Sequence, residues 1–273
     1  MSKEHINDRL TVEIKEQIAF VTLERPDKHN ALDMAMFYAI RDVIKRLHRN
    51  RNIRAVIIAG AGEDFCSGLD VKSVMKSKSA PLKLLFKWLP WQANLAQYVS
   101  TGWRSLPVPV IAAIHGRCWG GGLQIAQGAD FIITEPNASL AIMEAKWGLI
   151  PDMGGSLAVR ESLNLDVAKR LAMTGEQVSG QEAVALGLAS ICSENAKEQA
   201  IALAQELKVQ SPDSVAGVKK LYNKSWFGSA GMALARESYY QIRILMGKNS
   251  QIKRYNQLNS DKPERKFKPR KSW

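Results

Sequence analysis

Ile111-Ala-Ala-Ile-His-Gly-Arg-Cys-Trp-Gly120-Gly121-Gly122-Leu-Gln-Ile-Ala126 is an apolar run of strand length that enters three consecutive glycines and leaves them as a helix. Adjacent glycines need a backbone reason, and lacking a β-carbon they accept unusual dihedrals and admit a close neighbour. A helix starting there aims unpaired N–H groups at any negative charge above it. The spacing is not that of a dinucleotide fingerprint, which places G-x-G-x-x-G after the first strand and an acid about 20 residues on. On this motif alone, a tight turn without chemistry stays open.

A second bend has the same character. Phe65-Cys-Ser-Gly68-Leu69-Asp70 follows an apolar strand and its loop, and puts a glycine at a helix start. Two such bends can each offer one peptide N–H. Two amides meeting at one oxygen make an oxyanion hole, the arrangement a thioester needs when its carbonyl becomes an enolate.

Outward from the bends, hydrophobic periods alternate. Leu10, Val12 and Ile14 alternate with polar neighbours, residues 15–17 turn and Ile18 to Leu23 return, which reads as a hairpin. Leu32, Met36, Ile40, Val43, Ile44 and Leu47 recur mostly at spacings of three and four, the mark of an amphipathic helix. Short apolar runs at 55–59, 110–114, 131–134 and 139–143, with helical stretches between most of them, predict an α/β domain with a buried sheet. Beyond residue 160 the pattern is helical, at 167–173, 180–186, 197–209 and 211–222. Ser179 and Ser211 read as N-caps, the latter followed by Pro212 at the first helical position. The expected division is a core over 1–195, a helical region over 196–260 and a basic tail over 261–273. With too few apolar groups to pack, that tail is expected to be flexible unless a neighbouring subunit holds it.

The 273 residues are 46% apolar and 23% charged, enough for a sizeable core. No apolar run approaches the roughly 20 residues of a membrane helix, and residues 1–10 lack the apolar stretch of a secretory signal. Cys66, Cys118 and Cys192 lack metal-ligand spacing, so they read as buried, inert thiols of a cytoplasmic protein with no metal site. The net charge of +12 invites a polyanionic partner, nucleic acid, membrane surface or a phosphate-rich cofactor. Its basic residues are spread over 41–54, 72–87 and 262–271, as solvated faces would be, and no RNP-like or zinc-knuckle module accompanies them. Neither nucleic acid nor membrane is the expected partner.

Four stretches now resemble, in order and spacing, the motifs of the crotonase (enoyl-CoA hydratase/isomerase) superfamily. They are Arg25-Pro-Asp-Lys-His-Asn-Ala-Leu-Asp33, the 65–70 bend, the 120–122 bend and Gly148-Leu-Ile-Pro-Asp-Met-Gly-Gly155. Lys169-Arg-Leu-Ala-Met-Thr-Gly-Glu176 and Ala183-x-x-x-Gly-Leu-Ala189 extend the resemblance, which covers residues 10–225. It implies a spiral of ββα units with a C-terminal helical trimerisation region, a homotrimer or homohexamer, and an acyl-CoA substrate with no cofactor beyond the coenzyme A it carries. It also implies that the amides of Leu69 and Gly121 form the oxyanion hole and that CoA lies against Lys28, His29, Ala31, Ser67, Gly68 and Asp70.

The same resemblance bears on the reaction. Family hydratases use two glutamates; this chain keeps the second, Glu144, and carries Gln124 at the first. A glutamine cannot exchange a proton near neutral pH, but it can hold a water or an amide. Glu144 ends the apolar run Ala141-Ile-Met-Glu144, where desolvation would raise its pKa. Asp152 stands where the family's dienoyl-CoA isomerases carry a catalytic aspartate, although a turn role before Met153-Gly154-Gly155 stays open. One glutamate suffices for the enoyl isomerases. Double-bond isomerisation of a fatty acyl-CoA is therefore expected, with Glu144 as acid and base, Asp152 assisting and Gln124 positioning. Hydration of 2-enoyl-CoA is the alternative, followed by a CoA- or RNA-binding family member with little catalysis. Residues 72–104, including Trp88, Trp91, Tyr98 and Trp103, match the pattern least and read either as core or as acyl-pocket wall. His115 reads as a core or turn residue.

Overall fold

The computed structural model describes residues 3–76 and 79–273. Met1, Ser2 and Lys78 of the basic 72–87 stretch lie outside the described residues. Ten strands run in chain order: β1 Glu4–Ile6, β2 Leu10–Lys15, β3 Ile18–Leu23, β4 Ala55–Gly60, β5 Val110–Ile114, β6 Arg117–Trp119, β7 Phe131–Thr134, β8 Ser139–Ala141, β9 Gln177–Ser179 and β10 Ile191–Cys192. The main sheet is ordered β1-β2-β3-β4-β5-β7-β10. Its first three strands pair antiparallel through the expected hairpin, and the rest are parallel. A small second sheet runs β6-β8-β9.

The helices are α1 Met34–Arg49, α2 Val71–Lys76, α3 Ala80–Leu85, α4 Leu95–Ser105, α5 Gly121–Ala126, α6 Gly155–Ser162, α7 Leu165–Thr174, α8 Gly180–Leu186, α9 Ala196–Lys208, α10 Pro212–Ser225, α11 Ala230–Leu245 and α12 Lys248–Leu258. Among the described residues no helix is long and apolar enough to cross a membrane.

Alternation sorts the sheet residues onto two faces. Val56, Ile58, Val110, Ala112 and Ile114 face the larger core, together with Met36, Phe37, Ile40, Val43, Ile44 and Leu47 of α1. Burial of each large side chain there contributes about 1.5–3 kcal/mol. Asp33 caps α1 by accepting a bond from the Met36 N–H at 2.8 Å. The opposite parity, Ile18, Ala55, Ile57, Ala59, Ile111, Ala113 and Ile133, packs on Ala196, Ala200 and Ala204 of α9. Alanine every fourth residue lets this helix lie close to the sheet. The boundary expected between residues 195 and 196 therefore falls just before a helix that completes the core.

Strand β8 is shorter than the expected 139–143. It pairs with three residues of β6 and stops where that partner stops. Ile142 is apolar because it is buried in the core, not because it continues the strand. Trp103 is core at 1% exposure, whereas Trp88 and Trp91 are 85% and 80% exposed. Core packing thus accounts for one tryptophan of that segment and not for the other two.

The end of the tail makes contacts with the folded chain. Asp213, buried on α10, accepts bonds from the Lys271 N–H at 2.6 Å and the Trp273 Nε1–H at 3.3 Å. Arg270, 2% exposed, donates to the carbonyls of His48 and Asn50 behind α1. Composition predicts poor packing here, but two long side chains and one buried carboxylate suffice to seat the segment. Deleting residues 267–273 should lower Tm by roughly 5–10 °C, since a buried carboxylate loses two of its partners. An unchanged melting curve would show that the tail contributes nothing to stability.

Candidate active site

Short parallel contacts bring the two glycine bends side by side. Phe65 N–H donates to the His115 carbonyl at 3.0 Å, Cys66 N–H to the Arg117 carbonyl at 2.9 Å, and Trp119 N–H to the Cys66 carbonyl at 3.0 Å. On the other flank the 30–32 ribbon joins: Leu32 N–H donates to Gly68 O at 2.8 Å, and Asp70 N–H to Leu32 O at 3.0 Å.

Glycine is required for this approach. Gly68 has φ +94°, and a β-carbon on it would lie 2.8 Å from the Trp119 carbonyl and 3.4 Å from Gly121 N. A β-carbon on Gly122 would lie 2.4 Å from the Cys66 carbonyl. The Leu69 and Gly121 amides therefore sit on adjacent bends, and neither has a protein acceptor among the described residues. Burial drives the Cys66 thiol up to about 12 and holds Cys118 well above its ordinary value, so both are packing groups.

Glu144 lies beside Gly120, the residue before the Gly121 amide. It opens a 3-10 turn, Glu144–Trp147, directly after β8 and so lies beyond the strand. A β-carbon on Gly120 would come within 3.4 Å of Glu144 Oε1. Oε1 accepts a bond from Gln124 Nε2 at 2.5 Å, while Oε2 is buried without a protein partner. Burial raises the Glu144 pKa above its ordinary value and the charge of Asp152 adds to the rise, against the opposing bonds from its own N–H and from Gln124.

Gln124 is held at both ends of its amide. Its Oε1 accepts from Met153 N–H at 2.8 Å and Gly155 N–H at 3.1 Å, so the side chain bridges α5, the 153–155 loop and Glu144. Asp152 is an exposed residue whose carboxyl is still desolvated enough to be raised. A cavity of about 220 Å³ opens beside Gly120 and Gln124, walled by Leu123, Ile142, Pro151, Val159, Ala172 and Met173.

The residues expected to meet CoA divide into two kinds. Lys28 is exposed at the end of the Pro26–Lys28 turn, and His29 next to it is in the left-handed region at φ 51°. Ala31, Ser67 and Gly68 present backbone along the same edge, where Ser67 N–H donates to the His29 carbonyl at 2.9 Å. Asp70, by contrast, is held by Arg25 at 2.9 Å and accepts from the Ser73 N–H at 3.0 Å, so its carboxylate is already occupied. His115 is a turn residue whose Nε2 lies 3.0 Å from the Gly62 carbonyl.

Sequence reading passed over Asn30, Asp64 and Arg117. Asn30 and Asp64 are both buried, and Arg117 grips Asp64 from 53 residues away. A lone acid before Phe65 and a lone arginine after Gly116 carry no local signal of pairing.

The model of the enoyl-CoA hydratase/isomerase family matches residues 13–254. The chain is 33% identical over 211 residues to a carnitinyl-CoA dehydratase of Proteus mirabilis, spanning 74% of this chain and 75% of that protein. It is 32% identical over 226 residues to one from Escherichia coli O157:H7, spanning 82% and 81%. Among solved structures it is similar to a putative enoyl-CoA hydratase from Streptomyces coelicolor A3(2), with TM-score 0.87, 30% identity and 98% of each chain covered. It is also similar to an enoyl-CoA hydratase from Polaromonas sp. JS666, with TM-score 0.84 and 26% identity over 95% of this chain and 99% of that one.

Proposed function

The chain belongs to the enoyl-CoA hydratase/isomerase family, and from that premise we propose that it moves the double bond of an enoyl-CoA through a thioester enolate. Glu144 takes a proton from C2 of a 3-enoyl-CoA. The electron pair flows into the carbonyl, and the Leu69 and Gly121 amides hold the oxyanion. The protonated Glu144 returns its proton at C4, leaving the 2-enoyl thioester. The observation that carries this reading is that the side chain bonded to Glu144 is Gln124, a carboxamide, where a second carboxylate would serve hydration. Its Oε1 is spent on two peptide N–H groups and one Nε2 hydrogen on Glu144, and as a carboxamide it has no proton to exchange, which leaves the proton transfer to Glu144 beside Gly120. The apolar cavity next to Gly120 suits the acyl chain, and Lys28 and His29 at the exposed ribbon suit the CoA phosphates.

A second reading has its own support. The curated relatives named carnitinyl-CoA dehydratase favour elimination of a 3-hydroxyl, which also starts with proton removal at C2. Asp152 would then be the nearby acid for the leaving hydroxyl. Steady-state assays of 3-enoyl-CoA isomerisation, crotonyl-CoA hydration and carnitinyl-CoA dehydration, run side by side, separate the two. Isomerisation should dominate; efficient hydration or dehydration that Glu144→Gln abolishes would overturn the preference.

The ionisation of Glu144 sets a pH dependence. Because the ionised base is the starting form and its pKa is raised above 4.5, kcat/KM should fall with decreasing pH along a limb lying above the ordinary carboxylate range. A flat acidic profile down to pH 4.5 would exclude Glu144 as the base.

Self-association belongs to the same proposal. Trp226, Phe227, Met232, Leu234, Ile242 and Met246 are exposed around α10 and α11, a surface suited to packing against further copies as a trimer or hexamer. Sedimentation at micromolar concentration tests it, and a monomer would refute it.

A further inference from the structure

We infer that Asp64 is a positioning residue for the oxyanion hole, acting through Arg117 to hold the two glycine bends at their working separation. Its chemistry rests on the enolate reading above; its geometry does not. The backbone bonds between the bends end at Cys66 and Trp119. Beyond them the 67–69 and 120–121 segments share no backbone bond among the described residues, although these carry the two amides. A parallel contact of two or three residues specifies its register weakly, so the spacing at the mouth depends on further ties: the 30–32 ribbon holds the 67–70 bend, Ala141 holds Gly120, and a side-chain pin acts from the other end.

Asp64 stands at that end. It is 3% exposed. Its Oδ1 accepts from the Arg117 N–H and Nε–H, each at 2.8 Å, and its Oδ2 from Arg117 Nη2–H at 2.9 Å. Such a fork fixes both distance and angle, as a single bond cannot. The approach is built in, because a β-carbon on Gly116 would lie 2.0 Å from the Glu63 carbonyl and 2.8 Å from Asp64 Oδ1. The third strip of backbone is tied to the same point. His29 Nδ1 lies 2.9 Å from Asp64 Oδ2, and Asn30 Nδ2 donates to the Asp64 carbonyl at 2.7 Å. Burial alone would raise the Asp64 carboxyl, but the bonds from Arg117 and His29 bring it below its ordinary value, consistent with a permanently ionised pin.

A conjugated acyl thioester reports the hole directly, because hydrogen bonds to its carbonyl polarise the chromophore and shift its absorption to the red. 2,4-Hexadienoyl-CoA is bound to the wild-type chain and to the Asp64→Asn, Arg117→Ala, His29→Ala and Glu144→Gln variants. The wild type and Glu144→Gln should show the full red shift. Asp64→Asn and Arg117→Ala should bind the ligand with much of the shift lost, and kcat should fall by about 10–100-fold, more than KM rises. His29→Ala should raise KM and keep the shift. Arg117, 34% exposed at its side chain, carries the test if Asp64→Asn fails to fold. A full red shift and wild-type kcat in the Arg117→Ala enzyme would overturn the inference, even if its melting temperature dropped. No red shift in the wild type would instead bring down the oxyanion reading, and this inference with it.

Discussion

Glu144→Gln is expected to lower kcat by about 10²–10⁴-fold while raising the melting temperature by a few degrees. The first effect follows from the loss of the proposed proton carrier beside Gly120. Gln124 cannot replace it, since a carboxamide does not exchange a proton near neutral pH. The second effect follows from the sign of the pKa shift. Burial raises Glu144, so the folded state favours the protonated form. The stability this contributes is complete below the ordinary carboxylate pKa and is lost as pH rises through the raised one. The wild type therefore holds a carboxyl whose ionised form is penalised by burial and whose Oε2 is buried without a protein partner. Glutamine is neutral, and its Oε1 can still accept the bond from Gln124 Nε2. A site that sacrifices stability for chemistry gains it back when the chemical group is removed. Calorimetry at pH 7 beside the turnover assay measures both effects. The stability gain should shrink as the pH is lowered toward 4.5, where the wild-type carboxyl takes up its proton. A Glu144→Gln enzyme that turns over at the wild-type rate would end the assignment of this residue as the acid/base.

Gly68→Ala should cost turnover by about 10²–10³-fold, the loss expected when oxyanion donors are displaced. Two physical effects combine. At φ +94° an alanine is strained, by about 1–2 kcal/mol. Its β-carbon would also lie 2.8 Å from the Trp119 carbonyl, so the bend carrying Leu69 must move away from the bend carrying Gly121. Strain alone destabilises, whereas displacement of the amides also slows the reaction. Gly175→Ala separates them. Gly175 has φ +61°, but a β-carbon there meets first the flexible Lys146 side chain, at 3.0 Å, away from the two amides. Both variants should melt at lower temperature and only Gly68→Ala should lose turnover. Equal kinetic losses would show that general destabilisation explains both.

Much of the candidate site was legible because its signals are local. Gly68 and Gly120 to Gly122 announced close backbone approach, and the structure fills the corresponding spaces with the carbonyls of Trp119 and Cys66 and the Glu144 carboxylate. Gln124 was legible as a non-acid. The partners of its Oε1 were not, because the Met153 and Gly155 amides that bond it lie 29 and 31 residues further on. Asp70 is a different case: its place in the motif suggested ligand contact, and only the folded chain reveals that Arg25 holds its carboxylate.

Period-two and period-3.6 patterns were enough to establish the hairpin, the parallel apolar strands, α1 and the C-terminal helices, since each expresses which face of one element meets the core. Long-range packing settled the rest. The Asp64–Arg117 fork, the unpartnered Oε2 of Glu144 and the seat of Trp273 on Asp213 each depend on atoms brought together from distant segments. A side chain's partners and its share of water are properties of the assembled interior, so no short window of residues can contain them.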